Sequence, residues 1–329
     1  MRRLLPAIAV LAAIGAVAVG CGEKEESLEP GAPEQLEIML DFFPNADHAP
    51  IYAAEAGGHF DDVGLDVEIR EPPDPAAPLK QVVAGRADLA ISYEPEVLRA
   101  RDDGLAVEAV GALVQAPLTS IISLPSAGIR RPEDLDGKVV GTAGIDYQSA
   151  YLQAIAKRAG ADAEERNVGF NLTGALLAKK VDAILGGFWN YEGTDLRLRG
   201  KDPQIIRLEQ AGVPTYDELV LVANADRPDD RIKRFVAALE RGTEDLQRDS
   251  EAGLKGLLEA NPDLDPKLQR EVVDVTLPLF KAPHDKPYGW QDPKEWNAFA
   301  RWMRDNELLE NAVDARGAYT NDYLPGAGP

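Results

Sequence analysis

Cysteine is almost absent. Cys21 is the single one in 329 residues, so no disulfide framework can hold the chain and an apolar core must do so. Histidine is nearly as scarce: His48, His59 and His284 show no paired spacing of the kind that builds a metal site, and no metal or cofactor is expected. Basic residues are outnumbered, 35 Lys and Arg against 56 Asp and Glu, for a formal charge of −21. That balance excludes the basic patch that nucleic acid requires and broad electrostatic adhesion to anionic lipid. Neither a Walker loop nor a Gly-x-Ser-x-Gly elbow occurs.

Apolar runs long enough to approach a membrane span are missing too, save one at the start. Arg2 and Arg3 precede Leu4 to Val19, which is almost wholly apolar and too short for a spanning helix. Residues 1–21 therefore read as an export signal. The run ends in Ala18-Val19-Gly20-Cys21, which resembles a bacterial lipobox, with Cys21 as the lipidated residue; Ala18 is the less typical position. Loss of Arg2 and Arg3 with the signal would take the charge from −21 to −23. Residues 22–34, rich in Glu, Gly and Pro, read as a solvated tether.

Beyond the tether, strand and helix patterns alternate. Leu36 to Leu40 and Val67 to Ile69 read as strands flanking a helix over Asp47 to Gly57. A helix at Leu79 to Ala84 then leads to a short buried strand, Ala87 to Ile91. Strands and helices at this spacing imply βαβ units and an α/β fold. The order recurs in a second half: Lys138 to Thr142 is a strand, a helix runs to Ala159, and Leu176 to Leu185 repeats the helix–Asp–strand of Val82 to Ile91. Val107 to Leu124 is placed to cross between halves, and Leu219 to Ala223 to return. The C-terminal part is helical. Asp292-Pro293 opens one helix, and Trp296 and Phe299 fall on its core face. A chain that leaves one lobe, builds another and returns makes a two-lobed body with a cleft; the expected division is 35–118 plus 222–329 against 119–221.

From about Gln35 onward the chain resembles the type II periplasmic-binding fold of ABC-importer solute receptors, and within it the branch that binds thiamine-pyrimidine precursors. Leu40-Asp41-Phe42-Phe43-Pro44-Asn45-Ala46-Asp47-His48 is similar to that branch's L-D-W-x-P-N-x-x-H motif, with Phe42 in place of the tryptophan. Ile91-Ser92-Tyr93-Glu94-Pro95 and Gly187-Phe188-Trp189-Asn190-Tyr191-Glu192 also carry the resemblance. Gly57 to Leu65 and the Ala87-Asp88 strand are shared with sulfonate, taurine and nitrate receptors and mark the superfamily alone. The resemblance implies a monomeric, exported, non-catalytic receptor, periplasmic or anchored to the outer face of the cytoplasmic membrane through Cys21. Its partners would be a pyrimidine ligand and an ABC permease with its ATPase. Riboflavin or an aliphatic sulfonate is the alternative solute.

A substituted pyrimidine calls for aromatic faces, a carboxylate for its exocyclic amine, and amide or hydroxyl groups for the remaining edge. The loops supply Phe42, Tyr93, Phe188 and Trp189 as faces and Asp41, Glu94 and Glu192 as acceptors. Asn45, Ser92, Asn190 and His48 complete the expected site. Three acids at strand ends oppose an anion. Ordinary structural roles compete: Asp41 as a helix cap, Glu94 turned to solvent, His48 bonded within its loop, Tyr52 in packing, His59 in a superfamily turn. The rival from another class is an enzyme, since the fold also resembles fungal-type thiamine-pyrimidine synthases. Those carry a Lys directly after the strand matching Leu89–Ile91 and a His four residues later, where this chain has Ser92 and Glu96. A Schiff base with pyridoxal phosphate needs that amine.

Overall fold

The computed structural model describes residues 32–311 and 315–326. The expected export signal, the lipidation residue Cys21 and all of the tether up to Gly31 lie outside the described residues. Among the described residues no helix is long and apolar enough to cross a membrane.

Among the described residues, ten strands form two five-stranded sheets. The first contains β1 (Glu34–Met39), β2 (Leu65–Arg70), β3 (Leu89–Ser92), β4 (Val107–Val114) and β10 (Leu219–Asn224), in the order β2-β1-β3-β10-β4. The second contains β5 (Thr119–Ser123), β6 (Val139–Thr142), β7 (Glu164–Asn167), β8 (Ala183–Phe188) and β9 (Gln204–Arg207), in the order β7-β6-β8-β5-β9. In each sheet three strands run parallel and a fourth is inserted antiparallel beside them: β10 next to β3, and β5 next to β8. Each inserted strand arrives from the other sheet. The chain therefore crosses twice, through 115–118 and through 208–218. Because β10 begins at Leu219 in the first sheet, the return crossing is complete before Leu219.

The repeated helix–Asp–strand segment has a physical cause. Asp88 donates its N–H to the Glu37 carbonyl and accepts the Glu37 N–H on its carboxylate, at 3.0 and 2.9 Å. Asp182 does the same to Val139 at 2.8 and 2.9 Å. Each aspartate thus closes the open end of a parallel pair, satisfying the neighbouring strand's donor one residue before the pairing begins. The helix before each aspartate ends on a left-handed residue, Gly85 at φ 67° and Lys179 at φ 55°. Glycine meets that requirement without strain and lysine does not.

The central β3 is buried at all four positions, as a parallel strand covered on both faces should be. The edge strand β7, Glu-Glu-Arg-Asn, is exposed throughout, and its charges discourage pairing with another chain. Asp292 accepts from Lys294 N–H and opens the helix Pro293–Asp305, whose Trp296, Phe299 and Met303 are buried. Trp296 also donates its indole N–H to Asp217 at 2.9 Å, tying this helix to the return crossing.

Candidate functional site

The parallel strands β1, β3, β6 and β8 all end at one cavity, where the two sheets face each other. Strand ends and helix starts leave polar backbone there, the usual place for a ligand in an open α/β sheet.

Downstream of β1, Pro44-Asn45 breaks the chain and Asn45 caps the short 3-10 turn Ala46–His48, its side chain accepting from Asp47 N–H at 2.8 Å. His48 is fully buried, and its Nδ1 accepts the Asn45 N–H at 3.2 Å. The ring proton therefore sits on Nε2, which donates to Asp41 at 2.8 Å. The other Asp41 oxygen accepts from the Tyr93 hydroxyl at 2.6 Å. Asp41, Phe42, Asn45, His48 and Tyr93 all line the cavity from the first sheet's side. Asn45, rather than Asp41, is the cap.

From the second sheet's side come Phe188 and Glu192. Glu192 opens the helix Glu192–Leu198 and accepts the Phe188 N–H at 2.6 Å. Burial pushes its carboxyl up to about 7. Three residues missed in the sequence also line the cavity. Asp47 is almost fully buried, and burial raises its carboxyl to about 7. Gln148 accepts the Ala143 N–H at 2.8 Å. Tyr191 takes a hydrogen bond from Gln269 at 3.3 Å. Phe42 is in turn packed by Phe170, which lies edge-on to it at 4.5 Å and tilted against Phe43 at 4.3 Å.

Two polar bridges join the halves across the cleft. Asn190 donates to Asp47 at 2.6 Å and to Thr276 at 2.7 Å. Gln269, about two turns earlier than Thr276 on the same helix (Pro266–Thr276), accepts from Ala46 N–H while donating to Tyr191.

Four residues expected at the ligand are placed elsewhere. Asn190 is fully buried in its bridge to Asp47 and Thr276 and is absent from the cavity wall. Ser92 donates to Glu96 at 2.5 Å behind the strand end. Glu94 is neither in the cavity nor in solvent: it is buried, accepting Asp217 N–H at 2.7 Å, and burial followed by the nearby Asp217 charge holds its carboxyl well above the usual range. Trp189 faces away because it follows Phe188 at the end of a strand, where successive side chains alternate. Its indole N–H donates to the Pro117 carbonyl at 3.1 Å, and Arg207 stacks on its ring at 4.1 Å. Tyr52 is buried in packing, and His59 bonds Asp245 at 2.6 Å.

This placement changes what truncating Trp189 should do. Trp189→Ala should remove a half-buried ring from the first crossing and lower ligand-free stability by about 2–3 kcal/mol. Affinity should stay within about threefold, since no stacking contact is lost. Apo melting curves and calorimetric titration measure both; an affinity loss with an unchanged melt would put the indole at the ligand.

Beside the cavity, Glu218 holds the two crossings together. It is fully buried, yet accepts from Leu118 N–H, Thr119 N–H, the Thr119 hydroxyl and the Tyr216 hydroxyl, at 2.6, 2.7, 2.8 and 2.9 Å. In the sequence, only its position at the return crossing hints at such a role.

A family description, NMT1/THI5 like, matches residues 45–252. The formylaminopyrimidine-binding protein of Halalkalibacterium halodurans is 33% identical over 300 residues, spanning 88% of this chain and 91% of that protein. The 4-amino-5-hydroxymethyl-2-methylpyrimidine phosphate synthase of Legionella pneumophila is 25% identical over 300 residues, spanning 88% and 92%. Among solved structures, the alkanesulfonate-binding protein SsuA from Xanthomonas axonopodis pv. citri, bound to MOPS, aligns with a TM-score of 0.65 at 19% identity, over 88% of this chain and 98% of that one. Likeness at that identity concerns the fold alone, which is that of periplasmic binding proteins.

Proposed function

The chain belongs to the NMT1/THI5-like family, and from that premise we propose that it is a solute receptor that captures a thiamine-pyrimidine precursor between its two sheets. One observation carries the reading. Aromatic faces (Phe42, Tyr93, Phe188, Tyr191) and carboxylates (Asp41, Asp47, Glu192) meet in a single cavity fed by both sheets. A flat ring bearing an exocyclic amine uses both kinds of group. No bond is made or broken; selection is burial and hydrogen bonding.

In this reading the sheets belong to two lobes, the crossings form the hinge, and the bridges at Asn190 and Gln269 form as the cleft closes. The closed form would be presented to an ABC permease and its ATPase. Cys21 would carry the lipid that keeps the receptor at the outer face of the membrane. The name of the Legionella relative favours a synthase as the second reading. No lysine is among the residues lining the cavity, and Ser92 and Glu96, at the positions where the synthases carry Lys and His, bond each other. The Schiff base lacks its amine.

Mass spectrometry of ligand carried through native purification should find an aminopyrimidine, and titration with the pure compound should reproduce binding. Incubation with pyridoxal phosphate and iron should give no pyrimidine product. Product formation would replace the receptor with an enzyme; an alkanesulfonate bound in place of a pyrimidine would move the solute class.

A further inference from the structure

One strand of the second sheet breaks step at the cavity. Leu185 and Gly187 of β8 pair with Ile121 and Ser120 of β5, which leaves Gly186 between them as an extra residue at φ 104°. Such a bulge bends its strand and often flanks a site. The amide of Gln148 fills the bend: a Cβ on Gly186 would lie 2.4 Å from its Nε2 and 2.7 Å from its Oε1. Both residues line the cavity, and Gln148 is almost fully buried in the first turn of the helix Asp146–Ala159.

Oε1 accepts the Ala143 N–H at 2.8 Å, which sets the amide's direction and leaves Nε2 as its donor end. The Tyr147 hydroxyl that the amide approaches is buried without a hydrogen-bond partner among the described residues. An NH2 carries two hydrogens, so one is left for the cavity whether or not Tyr147 takes the other. Other donors of the wall are turned to the protein: His48 and Tyr93 to Asp41, and Asn45 to the Phe43 carbonyl. The Tyr191 hydroxyl is tied by Gln269 into the bridge between the halves. Carboxylates make up the rest of the polar wall. They suit a ligand's exocyclic amine and repel the lone pairs of its ring nitrogens or of a carbonyl, which call for a donor.

We infer that Gln148 is a specificity-determining residue of this cavity, its Nε2 donating to an acceptor of the bound pyrimidine, a ring nitrogen or a substituent carbonyl. The inference rests on the receptor reading. The acids then read the amine, Gln148 reads the acceptor edge, and the Gly186 bulge makes room for the amide that does so. A ring offering no acceptor there would leave a buried NH2 unpaired, which is how such a site rejects a near-isostere.

Calorimetric titration with two neutral ligands, a formylamino- and a hydroxymethyl-aminopyrimidine, tests this on two variants. Gln148→Glu keeps an oxygen for the Ala143 N–H and replaces the NH2 by an acceptor. Titration at pH 8.5 keeps that carboxyl ionised, since burial lifts the acids of this wall only to about 7. Gln148→Met keeps the length and removes both ends of the amide. A cooperative melt without ligand reports that each variant is folded. Both should bind at least about tenfold more weakly than wild type. Loss with both ligands assigns the bond to a ring nitrogen, and loss confined to the formylamino compound assigns it to the carbonyl. Wild-type affinity for both ligands in either folded variant overturns the inference, makes Gln148 a prop for Ala143, and leaves the receptor reading standing. Failure of the wild type to bind either ligand overturns both.

Discussion

Glu218→Ala should lose about 3–5 kcal/mol of stability, the largest single-residue loss expected anywhere in the two crossings. The side chain is fully buried and serves four donors, two of them backbone N–H groups of Leu118 and Thr119. Alanine leaves those N–H groups facing a cavity without a partner, each costing about 1–3 kcal/mol. Part of that cost is offset, because burying the carboxylate is itself unfavourable and pushes it up to about 7. Glu218→Gln keeps the shape but turns an NH2 toward donors, so it should fall between wild type and alanine. Urea denaturation of the three proteins gives the ranking. A loss under about 1 kcal/mol for alanine would mean that water replaces the carboxylate and that the crossings are not stapled there.

The same residue marks where sequence reading stops. Glu218 meets Leu118 and Thr119 about a hundred positions away, a contact that no local spacing records. What can be read is local. The Asp88 and Asp182 segments stand out because the same helix–turn–Asp–strand order recurs in both halves, although the bond each aspartate makes reaches a strand far back in the chain, at Glu37 and Val139. Asp41 to His48 reads as a site because an acid, a ring and a histidine crowd the turn after a buried strand, and that turn does open on the cavity. Ser92, Glu94, Trp189 and Asn190 look alike in sequence, being polar or aromatic next to strand ends, but their direction depends on strand alternation and on partners elsewhere. For Trp189 the alternation is available: with Phe188 pointing in, its neighbour must point out. For Glu94 and Asn190 the deciding partners are Asp217, Asp47 and Thr276, all from distant segments. Asp47 and Tyr191 sit inside the motifs that carry the resemblance, yet by pattern they are ordinary helix residues; burial, visible only in three dimensions, makes them part of the wall.

Raising the pH from 5 to 8 should destabilise the ligand-free protein, with the melting temperature falling by at least about 5 °C. Burial lifts Asp47, Glu192, Asp217 and Glu218 from their ordinary 3.8 or 4.5 to about 7. Between about pH 4.5 and 7 the folded chain therefore holds protons that the unfolded chain has released. Stability must then fall as pH rises through that window, the reverse of a salt-bridged carboxylate. One such group acting alone contributes about 3 kcal/mol across it. Asp245, held low by its hydrogen bond with His59, has the opposite slope, but its effect lies at more acid pH. Differential scanning calorimetry from pH 5 to 8 tests the sign, and a flat or rising melt would mean that these carboxyls find compensation in the fold. Ligand adds a second sign. Two of the four, Asp47 and Glu192, line the cavity. An amine that pairs with their ionised forms must displace protons at pH 5 but not at pH 8, so it should raise the melting temperature more at pH 8. A ligand shift that is equal at both pH values would leave the acid wall as structure alone, with no part in binding.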